Sequence, residues 1–191
     1  MTTASGRTGG AVLCGGASRR FGRDKALVEV DGRPMAEHVG IVLEGAGCQP
    51  VVFVGGAGDR LAASTGREFL PDTCPGEGPL GGVIDALAWF GQRGFEAVMV
   101  AACDLPGLSE EAVRAVATSE GAAVAVAERW HPALGRWPVA ALDQVEAMFA
   151  AGVRSLRAAL EALGADPVAV DAASVHNVNR PSDLSSDGLG D

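Results

Sequence analysis

Chemistry in this chain gathers in a few short stretches. The richest runs Leu13-Cys14-Gly15-Gly16-Ala17-Ser18-Arg19-Arg20-Phe21-Gly22-Arg23-Asp24-Lys25. Its glycines let backbone N–H groups approach an anion closely. Arg19, Arg20, Arg23 and Lys25 surround a single acid, Asp24. Arginine forks onto phosphate oxygens and lysine supplies a point charge, so a triphosphate suits this loop. A glycine-rich turn with solvated arginines accounts for the same composition equally well. Two familiar phosphate loops are excluded for this stretch, because Lys25 is not set in GxxxxGK[ST] and Gly15-Gly16-Ala17 lacks the spacing of GxGxxG. Of the 15 lysines and arginines in the chain, Lys25 is the one lysine. Either one lysine survived by chance, or a compact, flexible ammonium is wanted at that point in place of a planar guanidinium, and its location in this loop favours the second.

A second stretch centres on Asp104, which follows the apolar run Val98–Ala102 and Cys103 and precedes Leu105-Pro106. A carboxylate just past a buried strand lies on the rim where open α/β sheets bind ligands. Mg²⁺ takes one or two carboxylates and completes its shell with phosphate oxygens and water. Alone, such an aspartate is more often a turn residue. With the first loop on the same rim, metal binding is the stronger reading. Asp72 precedes a loop rich in glycine and proline, with Gly76, Gly78, Gly81 and Gly82, and is otherwise a turn residue too. Asn177 and Asn179 flank Val178 and share one face of an extended segment. Arg154 and Arg157 fall at i, i+3 of a predicted helix, either to steer an anion or as a solvated face.

The elements that must position these residues alternate. Gly10–Cys14, Ala26–Val30, Val51–Val54, Glu68–Leu70, Ala97–Ala102, Ala122–Ala127 and Pro167–Val170 read as strands. A helix opened by Pro34 carries Met35, Val39, Val42, Leu43 and Ala46 on one face. Further helices carry Leu80, Val83, Ile84 and Leu87, or start at the cap Ser109, or run over Val139–Ala150 and Val153–Leu163. This order predicts a three-layer α/β/α fold with a mainly parallel sheet. One domain over residues 10–184 is expected, with residues 1–9 and 185–191 flexible.

The balance of 15 basic against 24 acidic residues gives a net charge of −9 and a pI of about 4.8. That argues against binding nucleic acid or an anionic membrane. No apolar run reaches the roughly 20 residues that a spanning helix needs. The first ten residues lack the apolar core of a secretory signal, so the cytoplasm is expected. Cys14, Cys48, Cys74 and Cys103 form no CxxC pair, which argues for reduced thiols and against structural zinc.

The string LCGGASRRFGRDKALVEVDGRPMAEHV resembles the nucleotidyltransferase signature LxGGxSxRMGxDKxLxxLxGxPLxxxV. More narrowly it is similar to the molybdenum cofactor guanylyltransferases, whose PDxxPGxGPLxG segment is resembled by PDTCPGEGPLGGV. VAACDLPGLS resembles their metal-binding strand end, and HNVNRPSDL their closing NxNxPxDL element. The matches run in family order from about Ala11 to Leu184. The resemblance implies a Rossmann-like nucleotidyltransferase fold and a nucleotide held by Leu13, Cys14, Gly15, Gly16, Lys25 and Asp72. It implies Mg²⁺ on Asp104, and Asn177 and Asn179 beside the molybdopterin phosphate and the metal. Arg129-Trp130-His131-Pro132 resembles a segment on the pterin side, although His131 fits a packed loop equally.

The implied reaction joins the phosphate of Mo-bound molybdopterin to the α-phosphate of GTP, with Arg19, Lys25 and Asp104 as the catalytic groups. Molybdenum-insertion proteins and apo-molybdoenzymes are the implied macromolecular partners. One departure matters: members often carry an asparagine after the second long strand, where this chain reads Val54-Gly55-Gly56-Ala57-Gly58. That leaves room for a cytidylyltransferase or another small nucleotidyltransferase. A carrier that binds molybdopterin or nucleotide without catalysis is a third reading, opposed by the intact Arg19, Lys25 and Asp104. All enzyme readings require Lys25 and Asp104 on the same side of the molecule.

Overall fold

The computed structural model describes residues 7–15 and 24–178. Its centre is the pair of strands β1 (Thr8–Leu13) and β6 (Ala97–Ala102), which run parallel with Leu13 opposite Ala102. Beyond β1 lie β4 (Val51–Val54) and then β5 (Glu68–Leu70). Beyond β6 lie β8 (Trp130–Pro138), β7 (Ala123–Val126) and β9 (Asp166–Ala169). Only β8 runs against its neighbours. A small hairpin pairs β2 (Glu29–Val30) with β3 (Arg33–Pro34).

Alternation along the strands sends side chains to two cores. Val12 and Cys14 face the layer of α1 (Met35–Gly45), α2 (Gly58–Thr65) and α4 (Glu110–Ala117). Ala11 and Leu13 face the layer of α3 (Pro79–Gly91), α5 (Leu142–Ala150) and α6 (Leu156–Ala162). Helices therefore cover both faces of the sheet, as expected. Among the described residues no helix is long and apolar enough to cross a membrane.

Some boundaries differ from expectation for physical reasons. The first strand begins at Thr8, inside the stretch expected to be flexible. Ala26, Val28 and Val30 are buried alternately, as a strand over Ala26–Val30 would bury them. Their backbone instead makes a 3-10 turn at Lys25–Leu27, because the Asp24 side chain accepts a hydrogen bond from Ala26 N at 3.1 Å. Helix α6 starts only at Leu156, after the cap Ser155, which leaves Arg154 outside it. Strand β8 escaped the sequence reading because it contains Pro132 and Gly135. It tolerates them where its register with β7 shifts between Val124 and Ala125, so the ladder needs no donor from Pro132. Helix α2 buries only Gly58 and Leu61, too little apolar pattern to read.

Phe90 anchors α3 to the sheet. It is fully buried, and its ring meets those of Trp89 and Phe95 edge-on at 4.8 Å and 4.9 Å. Phe90→Ala should cost about 3–5 kcal/mol of stability. Urea unfolding measures this, and a loss below about 1 kcal/mol would show that the α3 core repacks freely.

Candidate active site

Strands β1, β4 and β6 end side by side. Cys103 N donates to Leu13 O at 3.1 Å, and Cys14 N donates to Val54 O at 2.9 Å. The loops leaving these strands therefore share one rim, at the carboxyl edge of the sheet.

Asp104 is the hub of that rim. Its Oδ2 accepts from Lys25 Nζ at 2.7 Å and its Oδ1 from Asn177 Nδ2 at 2.9 Å. Its backbone carbonyl accepts from Val178 N at 3.0 Å. The two charged side chains are only 14% and 18% exposed, so water screens the pair weakly. The 3-10 turn capped by Asp24 aims the lysine, the end of β6 aims the carboxylate, and a C-terminal segment brings the amide. Lys25 and Asp104 are thus on the same side of the molecule, as every enzyme reading required.

At the ends of β1 and β4 opens a cavity of about 680 Å³. Leu13, Gly15, Gly56 and Asp72 form one wall, and Pro75, Gly76 and Gly78 form another. Asp72 Oδ1 accepts from Cys74 N at 2.9 Å, which closes a tight turn. Its Oδ2 lies beside Gly15, where an added methyl group would sit 3.9 Å away. The lining is largely backbone and apolar, with one carboxylate, as suits a flat ligand with few polar edges.

Lys25, Asp104 and Asn177 meet in one cluster, and Leu13, Gly15 and Asp72 line the cavity. Gly16, Arg19 and Asn179 lie outside the described residues. Cys14 meets the rim through its backbone alone, since its side chain belongs to the opposite core. Burial, with Cys103 and Asp24 adding, pushes the Cys14 thiol well up. The Cys103 thiol is pushed up to about 12, by burial first and then by Asp104. Gly81 and Gly82, expected in a loop, are the first buried turn of α3. Arg154 and Arg157 do not share a helix face. Arg154 pairs with Glu77, and Arg157 with Glu161 within α6. His131 sits on β8 opposite Ala125, with its pKa lowered by burial and by Arg129.

Gly56 has φ +54°, and a methyl group there would lie 2.2 Å from Cys14 O. The turn after β4 runs too close to the first loop for any side chain at that position. Sequence reading also missed Asp85 on α3, whose oxygens accept from Thr73 N at 3.0 Å and Thr73 Oγ1 at 2.7 Å. No local pattern marks an acid inside a helix as a clasp for a preceding loop.

The donor set near Asp104 is hard oxygen. Among the described residues no group of three or more His, Cys, Asp or Glu side chains could hold a metal. One carboxylate with an amide beside it fits a Mg²⁺ ion that takes most of its ligands from phosphate and water.

Two outcomes test this description. Gly56→Ala should cost about 1–3 kcal/mol through overpacking and a positive φ, read as a lower urea midpoint. Brief iodoacetamide treatment of native protein at pH 8 should label half-buried Cys74 and spare buried Cys14, Cys48 and Cys103. Rapid labelling of Cys14 or Cys103, mapped by mass spectrometry, would contradict the closed packing beneath the rim.

Comparison with known proteins bears on this geometry. The model of the MobA-like NTP transferase domain matches residues 10–170. A molybdenum cofactor guanylyltransferase of Rhodobacter capsulatus is 34% identical over 181 residues, covering 93% of each chain. A molybdenum cofactor guanylyltransferase of Cereibacter sphaeroides is 36% identical over 185 residues, covering 92% of each. The crystal structure of molybdopterin-guanine dinucleotide biosynthesis protein A from Archaeoglobus fulgidus superposes with a TM-score of 0.74. It is 27% identical, with 92% of this chain and 94% of that chain covered.

Proposed function

The chain belongs to the MobA-like NTP transferase family, and we propose that it transfers GMP from GTP to the terminal phosphate of molybdopterin. The observation that carries this reading is the Lys25–Asp104 pair at the carboxyl rim of the sheet, where the ends of β1 and β4 also line a cavity sized for a nucleoside. The molybdopterin phosphate attacks the α-phosphorus of GTP. One P–O bond forms, the bond to the β-phosphate oxygen breaks, and pyrophosphate leaves with that electron pair.

The nucleophile is a phosphate monoester with a second pKa of about 6, so it is largely ionised at neutral pH. No general base is required. The work is to neutralise charge and align the two phosphates. Lys25 and Arg19 offset charge on the triphosphate and on departing pyrophosphate. Leu13, Cys14, Gly15 and Gly16 offer backbone groups to the nucleotide. Asp104 would hold Mg²⁺, with Asn177 fixing the carboxylate and Asn179 beside it. The ion would supply charge to the phosphate oxygens. Asp72 Oδ2 suits guanine, whose N1–H and N2–H donors form a pair that cytosine and adenine lack.

Pyrophosphate release from GTP, CTP and ATP, each with Mo-loaded molybdopterin and Mg²⁺, tests the assignment. Release with GTP alone is expected. Release only with CTP makes the chain a cytidylyltransferase, and nucleotide binding without release makes it a carrier. Lys25→Ala and Asp104→Asn should each lower turnover by about a hundredfold or more. Near-normal product formation by either variant would sink their catalytic roles. Asp72→Asn should weaken GTP use and narrow its advantage over ITP, which lacks the N2 amine. An unchanged GTP/ITP ratio would remove Asp72 from base readout.

A further inference from the structure

The loop Cys74–Gly78 forms a cavity wall with little stiffness of its own. Gly76 and Gly78 take φ of +84° and +98°, and both line the cavity. Glycines in such conformations leave an unclasped loop many alternatives, and a ligand would have to order it on arrival. The near end is held by Asp85 through Thr73. The far end is held by one side chain remote in sequence, Arg154.

Arg154 sits in the connection between α5 and α6. Its Nε donates to Glu77 Oε2 at 2.8 Å. Its Nη1 donates to Phe149 O at 2.6 Å and to Val153 O at 3.1 Å. Its guanidinium carbon lies 4.0 Å above the centre of the Phe149 ring. Gly78 packs against its backbone, so that a methyl group there would lie 3.3 Å from Arg154 O and Cβ. Three separate restraints fix the guanidinium before it meets Glu77. The arginine is therefore a fixed post, and Glu77 is the hook on the loop.

We propose that Arg154 is a positioning residue for the nucleotide: it holds the Cys74–Gly78 wall, through Glu77, in the shape that receives the base. Lysine at this position would keep the charge and lose the fork and the stacking on Phe149. The proposal rests on the reading that the cavity takes the nucleotide.

Three measurements decide it: Kd for a fluorescent N-methylanthraniloyl-GTP, steady-state KM and kcat, and thermal unfolding. Arg154→Ala should raise Kd and KM for the nucleotide by about fivefold, the upper range for one exposed ion pair, with kcat unchanged. Glu77→Ala lies at the surface, tests the same contact without risk to the core, and should do the same. The double variant should be no worse than either alone, and Arg154→Lys should recover part of the loss. Photolabelling by 8-azido-GTP, mapped by mass spectrometry, reports separately on the cavity. If no label falls on residues lining the cavity, the cavity is not the nucleotide site and both readings fall. If the cavity is labelled while Arg154→Ala and Glu77→Ala leave Kd unchanged, the positioning role alone is wrong. A lower Tm and a lower kcat at constant KM would make Arg154 merely structural, which also overturns it.

Discussion

The site depends on one electrostatic contact, the ion pair between Lys25 and Asp104. These residues lie 79 positions apart, on loops that leave different central strands. A mostly buried pair of opposite charges is costly to split, because the survivor is left uncompensated at about 3–5 kcal/mol when fully buried and less at this exposure. The contact therefore ties the first loop to the end of β6 until a ligand offers both charges new partners. In the proposed reaction a triphosphate would offer the ammonium its oxygens, and a divalent ion would offer the carboxylate a cation. The same two side chains thus hold the rim together and, in that reading, grip the charged substrate.

Around that contact the fold supplies rigidity by backbone rather than by side chains. Hydrogen bonds from Cys103 N to Leu13 O and from Cys14 N to Val54 O lock three strand ends in register. The close approach of Gly56 to Cys14 O removes side chains from the cavity wall, which leaves room for a flat ring. The carboxylate of Asp72, which a turn with Cys74 N holds, stands nearby as the polar group of the wall. The loop at the cavity edge is tied from α3 by Asp85 and from the α5–α6 connection by Arg154.

Much of this was legible in the residues. Central strands such as Val51–Val54 and Ala97–Ala102 announce themselves because a strand buried on both faces must be apolar throughout. Helix α4 was legible because Ser109 accepts from Ala112 N and two glutamates fill its first turn. Elements with weak local patterns were not. Strand β8 carries two residues that ordinarily break strands, and it exists because β6 and β7 both pair with it. The turn at Lys25–Leu27 hides beneath an alternation of buried residues that a strand would produce equally well.

The sequence by itself determined the chemistry available: a glycine-rich cationic loop, one lysine, an aspartate past a buried strand and a pair of asparagines. Those follow from residue type and local spacing, which are properties of short stretches. Only the tertiary structure decided which groups meet. It put Asn177 on Asp104 and took Arg154 away from the anion-steering role that its spacing suggested. It also recruited Asp85 and Arg154 to brace the cavity. Contacts between remote segments are set by how strands and helices pack, and no window of neighbouring residues contains that information.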